Sequence, residues 1–349
     1  MDSDSLSLVP VPLAASAGAD SALTVDARED LLAHYWKAAG DYAKEARSVA
    51  TQRAYTADWR DFEQWCRTLS LIPLPAEPRT VAAYLAALAE RGRKAATISR
   101  RRTTISLVHR RAGLPSPCDQ QQVLVMETMQ GIRRRIGTRQ QGKEPASLDL
   151  IRKSIRNAEG TLAASRDRAI LLIGFAGGLR RSELAAMRVD DLEWVGRGLT
   201  VHLRKSKTDQ EGRGREVEFL YGAQPEGTPL SELTCPVRVL AQWLKQANIE
   251  KGFVFRRISH AQTILGGLEP RSIANIIKKA FSRGGVSEKD LPRYGAHSLR
   301  AGFATTAWAN GATELAIMRQ TGHKSNAMVR KYIRSEKADR IEAASKLGL

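Results

Sequence analysis

Residues 320–335 read QTGHKSNAMVRKYIRS, and in this stretch Tyr332 follows His323 by nine residues and lies among basic side chains. Positive charge near a tyrosine favours its phenolate, the reactive form of an oxygen nucleophile. The same pattern also describes an ordinary surface aromatic beside Arg330 and Lys331. The stretch therefore allows two interpretations, a nucleophile or a surface residue, and other parts of the chain must distinguish them.

The charge of the chain indicates a polyanionic partner. The 349 residues include 55 Lys and Arg against 37 Asp and Glu, a net charge of +18 at pH 7. Such an excess attracts nucleic acid or an anionic membrane surface. The apolar run 169–179 has only eleven residues between Arg168 and Arg180, too few to span a bilayer. Nucleic acid is therefore the favoured partner.

The N-terminal residues and the cysteines both favour the cytoplasm. Residues 1–25 open with acids, contain two prolines and lack the basic start of a signal peptide, so they predict a flexible tail. Cys66, Cys118 and Cys235 lie far apart and have no metal-binding or disulfide spacing. Such cysteines are typical of packing residues in a reducing compartment.

Apolar residues at helical intervals predict an all-helical domain over residues 26–137. Helices are predicted over residues 81–92, 95–112 and 121–137. An earlier apolar stripe, which we assign to the core, consists of Tyr55, Trp59, Phe62 and Cys66.

Basic residues of this domain form the predicted DNA-binding surface. Between Arg91 and Arg111 there are eight basic residues and no acid. Like charges repel unless a counter-charge arrives, and phosphates would supply one, although a solvated helix face has the same composition. The predicted DNA-binding residues are Arg91, Arg93, Lys94, Arg100, Arg101, Arg102, Arg133, Arg134 and, further along the chain, Lys205.

A polar stretch with a glycine and a proline predicts a linker over residues 138–147 and a second domain over residues 148–349. The second domain starts with a long helix from about Leu148, which gives way to a buried apolar segment. Two glycines end that segment, and Arg180 then opens another helical pattern.

Two alternating runs, residues 199–203 and 215–220, predict a β-hairpin with a basic, glycine-containing connection. Helical patterns over residues 237–245, 272–281 and 297–309 follow. The predicted fold is therefore mainly α-helical, with a small antiparallel β-sheet in the second domain.

The second domain contains the side chains that phosphoryl transfer requires. Guanidinium groups match the non-bridging oxygens of a phosphodiester, so Arg180 and Arg300 could neutralise the charge that builds there. His297 shares a helix face with Arg300, and with Lys207 it could move the protons of the nucleophile and the leaving oxygen. A phosphorylated Tyr332 would store the energy of the broken bond and allow resealing without ATP.

This ordered set resembles the tyrosine recombinase, or phage integrase, family over about the last 200 residues. AEPRTVAAYLAALAERG, HRRAGLPSPCD and MRQTGHKSNAMVRKYIR also resemble the Cre type of this family. Members of the Cre type carry Trp at the position of His323, whereas many other members carry His. Within the set, Tyr332 is interpreted as the nucleophile.

The resemblance implies a role for each residue of the set. Arg180, Arg300 and His323 would hold the scissile phosphate, and Glu183 would orient the site. Lys207 would protonate the leaving 5′ oxygen and His297 would assist proton transfer. Tyr332 would form a 3′-phosphotyrosine, so that strands are exchanged through a Holliday junction without ATP. The implied residues are Arg180, Glu183, Lys207, His297, Arg300, His323 and Tyr332.

The resemblance also implies how the protein assembles. Two domains would form a C-shaped clamp on double-stranded DNA, with inverted-repeat sites, a homotetramer on paired sites and no cofactor, metal ion or small-molecule substrate. The protein would act in the cytoplasm of a bacterial or phage host cell, at the nucleoid. A C-terminal helix with Ile341, Ala344 and Leu347 on one side would dock into a neighbouring subunit or pack within its own.

Three alternatives remain at this point. ATTAWANGATELAIMRQTGH has the helix, central glycine and second helix of a helix-turn-helix regulator, which would form no covalent adduct. Type IB topoisomerases use similar residues to relax DNA without exchanging strands. A zinc hydrolase built on His297 and His323 is disfavoured because neither histidine belongs to a ligand-spaced set.

Overall fold

The computed structural model describes residues 25–138, 142–156, 160–204, 214–222 and 233–333. The chain divides into two compact units after residue 140. None of the described helices has both the length and the apolar composition needed to cross a membrane. The predicted flexible tail and C-terminal helix, like Lys205 and Lys207, lie outside the described residues.

The described part of the first unit is helical, as predicted. Three of the five helices match predicted helical patterns, the stripe of predicted core aromatics lies on a fourth, and the helix that begins at Val25 had no pattern of its own. The helices are α1 Val25–Glu45, α2 Val49–Thr68, α3 Pro78–Glu90, α4 Ala95–Arg111 and α5 Val123–Ile136.

The core of the first unit is apolar and partly aromatic. Phe62 and Cys66 are fully buried, as the stripe predicted, and Phe62 packs on the ring of Tyr84 at 5.0 Å between centroids. Tyr55 and Trp59 from the same stripe are only half-buried. The three cysteines are buried and unpaired, in agreement with their predicted packing role.

Carboxylates of α2 supply counter-charge to part of the basic run of α4. Arg100 donates to both Asp58 carboxylate oxygens, at 2.7 and 2.9 Å. Arg101, whose side chain is 11% exposed, is paired with Asp58 and Asp61. Arg110 is paired with Asp119 at 2.6 Å. These arginines stabilise the helical unit itself.

His109 holds the segment that precedes α3. Its fully buried ring accepts the Ala76 backbone N–H at Nε2 over 2.9 Å, and Nδ1 lies 2.8 Å from the Ile105 carbonyl oxygen. A neutral imidazole that accepts at Nε2 carries its proton on Nδ1, so both contacts are satisfied.

Replacing His109 by leucine should lower the free energy of unfolding by about 1–3 kcal/mol, because the buried Ala76 N–H and the Ile105 carbonyl would each lose a partner. Urea denaturation measures the change. His260→Leu, at an exposed position, is the control and should shift stability by no more than about 0.5 kcal/mol. Equal shifts in the two variants would contradict the conclusion that His109 holds the segment before α3.

The second unit surrounds the buried helix α7. Its described helices are α6 Leu148–Arg156, α7 Leu162–Ala176, α8 Arg181–Ala186, α9 Pro236–Gln246, α10 Pro270–Arg283, α11 Ala296–Ala309, α12 Glu314–Thr321 and α13 Asn326–Ile333. The prediction of one long helix from Leu148 is wrong, because two shorter helices, α6 and α7, occupy this part of the chain. Helix α6 ends at Arg156, and α7 starts anew where the Thr161 side chain accepts the Ala164 N–H.

The predicted hairpin is confirmed. Its strands β2 Gly198–Leu203 and β3 Arg215–Leu220 are antiparallel, with Val201 opposite Val217. A third strand, β1 Leu192–Val195, pairs with β2, and a second small sheet joins β4 Arg256–Ile258 to β5 Ile264–Gly267. These three strands were not predicted, because each is only three or four residues long.

Close backbone packing fixes α11, the helix that carries His297 and Arg300. The Ala146 N–H donates to the Ser298 carbonyl at 2.9 Å. Gly302 faces the same segment, where a Cβ atom would lie 2.1 Å from the Ala146 carbonyl oxygen. Only glycine permits this approach, which fixes the position of the helix two residues after Arg300.

Candidate active site

Arg180 and Glu183 are positioned by the start of α8. Arg180 is the N-terminal capping residue, and Glu183 Oε2 accepts its backbone N–H at 2.8 Å while Oε1 accepts from Arg180 Nη1 at 2.6 Å. Glu183 is 2% exposed. The preceding Gly178 has φ +55°, and a Cβ atom there would lie 2.8 Å from the Thr321 methyl group. The turn therefore requires glycine.

Arg215 joins this pair and was not predicted from the sequence. It donates from Nη2 to Glu183 Oε2 at 3.1 Å and from Nη1 to the Gln320 carbonyl at 2.6 Å. Burial lowers the pKa of Arg215, and the Glu183 charge opposes that shift. One buried carboxylate thus pairs with two arginines, so the trio keeps one net positive charge. A residue at the first position of β3 gives no sequence signal for such a contact.

Arg300 is the most deeply buried cation of the site, at 1% exposure. Its Nη1 donates to the carbonyl oxygens of Gly178, at 2.8 Å, and Thr321. Burial, with the Arg180 charge as the second cause, lowers the pKa of Arg300 to about 10, so the group stays charged at neutral pH. Its buried Nη2 has no acceptor of suitable geometry among the described residues. A guanidinium with an unused donor is suited to bind an anion.

His323 lies beside Arg300 and is 6% exposed. Arg300 Nε donates to His323 Nε2 at 3.3 Å, and His323 Nδ1 lies 2.8 Å from the Thr321 hydroxyl. Burial and then the charges of Arg300 and Arg180 lower the pKa of His323 to about 3. The imidazole is therefore neutral at physiological pH.

Tyr332 reaches the site from α13. Its hydroxyl lies 2.6 Å from His297 Nε2. Burial raises the pKa of Tyr332 while the charges of Arg300 and Arg180 lower it, with a net upward shift, so the phenol is protonated and donates to His297. Arg330 is paired with Glu314 at 2.7 Å, and the charges that act on the phenol come from other helices.

The described part of the predicted set thus converges. Arg180, Glu183, His297, Arg300, His323 and Tyr332 are linked by these contacts and charges, and Arg215 is added to them. The predicted sites Lys205 and Lys207 lie in the connection 205–213, outside the described residues. Within the described ranges no group of three or more His, Cys, Asp and Glu side chains forms a metal site, so the zinc-hydrolase alternative has no ligand set there.

The predicted DNA-binding residues of the first unit fall into two groups. Arg91, Arg93, Lys94, Arg133 and Arg134 are exposed. Arg100 and Arg101 are held by carboxylates, and Arg102 Nη1 lies 3.0 Å from the Met126 sulfur. The first group is therefore the more available to a phosphate backbone.

Sequence comparison identifies the family. The profile of the phage integrase family matches residues 148–339, more than half of the chain. The chain belongs to the phage integrase family. An integrase/recombinase of Selenomonas ruminantium, a XerD homologue, is 38% identical over 293 residues, which is 83% of each chain. Cre recombinase of Escherichia phage P1 is 25% identical over 84% of this chain and 86% of its own.

These matches confirm a site-specific tyrosine recombinase and the resemblance to Cre, with higher identity to the XerD homologue. The fold agrees as well. The Tn1549 transposon integrase in complex with transposon end DNA superposes with a TM-score of 0.58 at 15% identity, over 88% of this chain and 96% of that one. A lambda integrase dimer bound to a core site superposes with a TM-score of 0.54 at 16% identity, over 88% of this chain and 78% of that one.

The shared carboxylate of Glu183 generates a stability prediction. Arg215→Met removes a buried, charge-assisted hydrogen bond to Glu183, and the free energy of unfolding should fall by roughly 1.5–3 kcal/mol. Thermal or urea denaturation measures it. Arg197→Met, which breaks an exposed pair with Glu218 near the same sheet, is the control and should cost at most about 1 kcal/mol. A loss no larger than the control would show that Glu183 does not depend on Arg215.

Proposed function

We propose that Tyr332 is the nucleophile of this recombinase and becomes attached to the 3′ phosphate of the cleaved strand. The 2.6 Å contact between its hydroxyl and His297 Nε2 is the observation that carries the proposal. The phenol oxygen attacks phosphorus, its proton passes to His297 Nε2, and the bond to the 5′ oxygen breaks. Attack by the freed 5′ hydroxyl of a partner strand reverses these steps, and two such exchanges make and resolve a Holliday junction.

Arg180 and Arg300 are assigned to the non-bridging oxygens of the scissile phosphate. The support is the unused Nη2 donor of Arg300 and the burial of its guanidinium. Attack on phosphorus adds negative charge to these oxygens, and fixed cations lower the barrier in a site from which water is excluded. Glu183 and Arg215 position the Arg180 side chain, and His323 contributes a further contact to the phosphate.

The assembly on DNA is proposed by analogy with relatives. Lambda integrase has been solved as a dimer on a core site and as a tetramer on a Holliday junction. We assign to this chain the same arrangement: inverted half-sites, four subunits and a C-terminal helix, with Ile341 on its apolar side, that docks into a neighbour. Both units bind the duplex in this proposal. The residues that contact the DNA backbone in this proposal are Arg91, Arg93, Lys94, Arg133 and Arg134 of the first unit and Lys205 of the second.

Replacing Tyr332 by phenylalanine removes only the attacking oxygen. Affinity for DNA should persist, and the covalent protein–DNA adduct should vanish from denaturing gels. Tyr294→Phe removes a hydroxyl from a tyrosine that packs on Phe281 and should keep the adduct. An adduct that survives in Tyr332→Phe would assign the nucleophile elsewhere. A wild-type protein that binds its site but never forms an adduct would favour the helix-turn-helix regulator.

Lys207 is proposed as the acid that protonates the leaving 5′ oxygen. An alkoxide is about as basic as the conjugate base of water, whose pKa is ~15.7, so it departs slowly without a proton. Lys207→Ala should therefore slow cleavage by roughly 10²–10⁴. With sulfur in place of the bridging 5′ oxygen the loss should disappear, because a thiol has a pKa near ~8.5.

Lys205→Ala is the matched control for this experiment, since it removes a neighbouring charge proposed to contact the DNA backbone. Its effect should be the same on the oxygen and sulfur substrates. If Lys207→Ala is equally impaired on both substrates, Lys207 holds DNA and does not donate the proton.

Cationic side chains take the place of metal ions in this proposal, and transesterification conserves the number of phosphodiester bonds. Cleavage and rejoining should therefore proceed in excess EDTA without nucleotide. Gel assays of strand exchange measure this. Loss of cleavage in EDTA that Mg²⁺ restores would contradict the proposed chemistry.

A further inference from the structure

A continuous chain of buried hydrogen bonds runs from Arg300 through His323 to Thr321. Arg300 Nε lies 3.3 Å from His323 Nε2, and His323 Nδ1 lies 2.8 Å from Thr321 Oγ1. Thr321 Oγ1 in turn donates to the Ile317 carbonyl oxygen inside α12. Thr321 is fully buried, so water does not compete for its hydroxyl.

The donors in this chain fix where the protons lie. The Nε–H of an arginine is always a donor, so His323 Nε2 must accept and carry no hydrogen. The neutral imidazole then has its proton on Nδ1 and donates it to Thr321 Oγ1. The Thr321 hydroxyl hydrogen points to Ile317. In this DNA-free state every hydrogen bond from Arg300 through His323 to Thr321 has a donor and an acceptor when His323 is in its Nδ1–H form.

That tautomer is the wrong one for a phosphate. Phosphate oxygens only accept hydrogen bonds, and an unprotonated Nε2 would repel them. As a neutral imidazole, His323 can donate from Nε2 only if Nδ1 gives up its hydrogen and becomes an acceptor. Among the described residues, the hydrogen-bonding group recorded at Nδ1 is Thr321 Oγ1.

We propose that Thr321 is a positioning residue whose hydroxyl sets the tautomer of His323 and switches it when the scissile phosphate binds. The proposal rests on the contact between His323 and the phosphate assigned above. On binding, Arg300 Nε leaves Nε2 and donates to the phosphate, the Thr321 hydroxyl rotates from the Ile317 oxygen to Nδ1, and Nε2 acquires the hydrogen. One proton leaves Nδ1 for solvent and one arrives at Nε2, so the net charge is unchanged.

After the rotation no buried polar group of this hydrogen-bond chain lacks a partner. The Ile317 carbonyl lies four residues before Thr321 in α12 and is the regular helical acceptor for the backbone N–H of residue 321. A hydroxyl rotor accepts or donates with equal ease. Threonine can therefore serve both states, and an isosteric valine could serve neither.

Nitrogen NMR tests the switch directly. The sample is the Tyr332→Phe protein, which cannot cleave, with its histidines labelled with ¹⁵N. Long-range ¹H–¹⁵N spectra, which distinguish the two tautomers, are recorded with and without DNA. His323→Gln assigns the signals. The probe is a duplex selected for binding from a randomised pool, so that cleavage is not required to obtain it. We expect Nδ1–H for His323 in the free protein and Nε2–H in the complex.

Nε2–H in the free protein, or Nδ1–H retained in the complex, would overturn the proposal. Neither outcome depends on whether Tyr332 forms an adduct, which tests the proposed function separately. An adduct at Tyr332 with an unswitched His323 would reject the role of Thr321 and leave the nucleophile assignment intact.

Single-turnover cleavage gives a second readout. Thr321→Val should slow adduct formation by about 10-fold, the usual effect of one lost hydrogen bond, and Thr321→Ser should restore most of that loss. In a His323→Gln background, Thr321→Val should cause no further loss. A 10-fold loss that persists in that background would mean that Thr321 acts on packing and not through His323.

Discussion

Burial of the Arg300 guanidinium is the constraint on which the rest of the second unit depends. A charge removed from water is costly unless hydrogen bonds and counter-charge compensate it. Here Arg300 Nη1 donates hydrogen bonds to two backbone carbonyl oxygens, those of Gly178 after α7 and Thr321 at the end of α12. Arg300 Nε donates to His323 Nε2. The same bonds that make burial possible fix the distance between three helices. The compensation is incomplete, because Nη2 meets no acceptor in good hydrogen-bonding geometry among the described residues, and in the proposed mechanism an incoming phosphate supplies one.

Glycines allow the backbone to approach closely enough for this arrangement. Gly178 and Gly322 have φ values of +55° and +68°, and a Cβ on Gly322 would lie 2.8 Å from Arg215 Nε. Gly302 brings α11 against the Ala146 carbonyl. These glycines lie beside the segments that hold the cations. Their effect on function is therefore geometric, since a displaced backbone would move carbonyls away from Arg300 and Arg215.

The two histidines of the site differ in burial and in electrostatic environment. His323, buried among arginines, has its pKa lowered to about 3 and cannot act as a cationic acid near neutral pH. His297 is exposed and lies at the tyrosine hydroxyl, where a proton can be exchanged. Burial raises the pKa of Tyr332, so in the proposed mechanism the phenol needs a base beside it before it attacks. Proton transfer and phosphate binding are thus assigned to different imidazoles.

Local patterns predicted parts of this structure that depend on local order, including three helices of the first unit and the β2–β3 hairpin. Contacts between distant segments were not predictable. Arg215 meets Glu183 across 32 positions, and the carboxylates that pair with Arg100 and Arg101 come from another helix. The charges that act on Tyr332 were likewise sought in adjacent residues, whereas tertiary packing supplies them. A structure of the Tyr332→Phe protein bound to its DNA site tests the account most directly. It should show Arg300 Nη1 still on the Gly178 and Thr321 carbonyls and Nη2 donating to a non-bridging oxygen of the scissile phosphate, whereas a phosphate out of reach of Arg300 would contradict it.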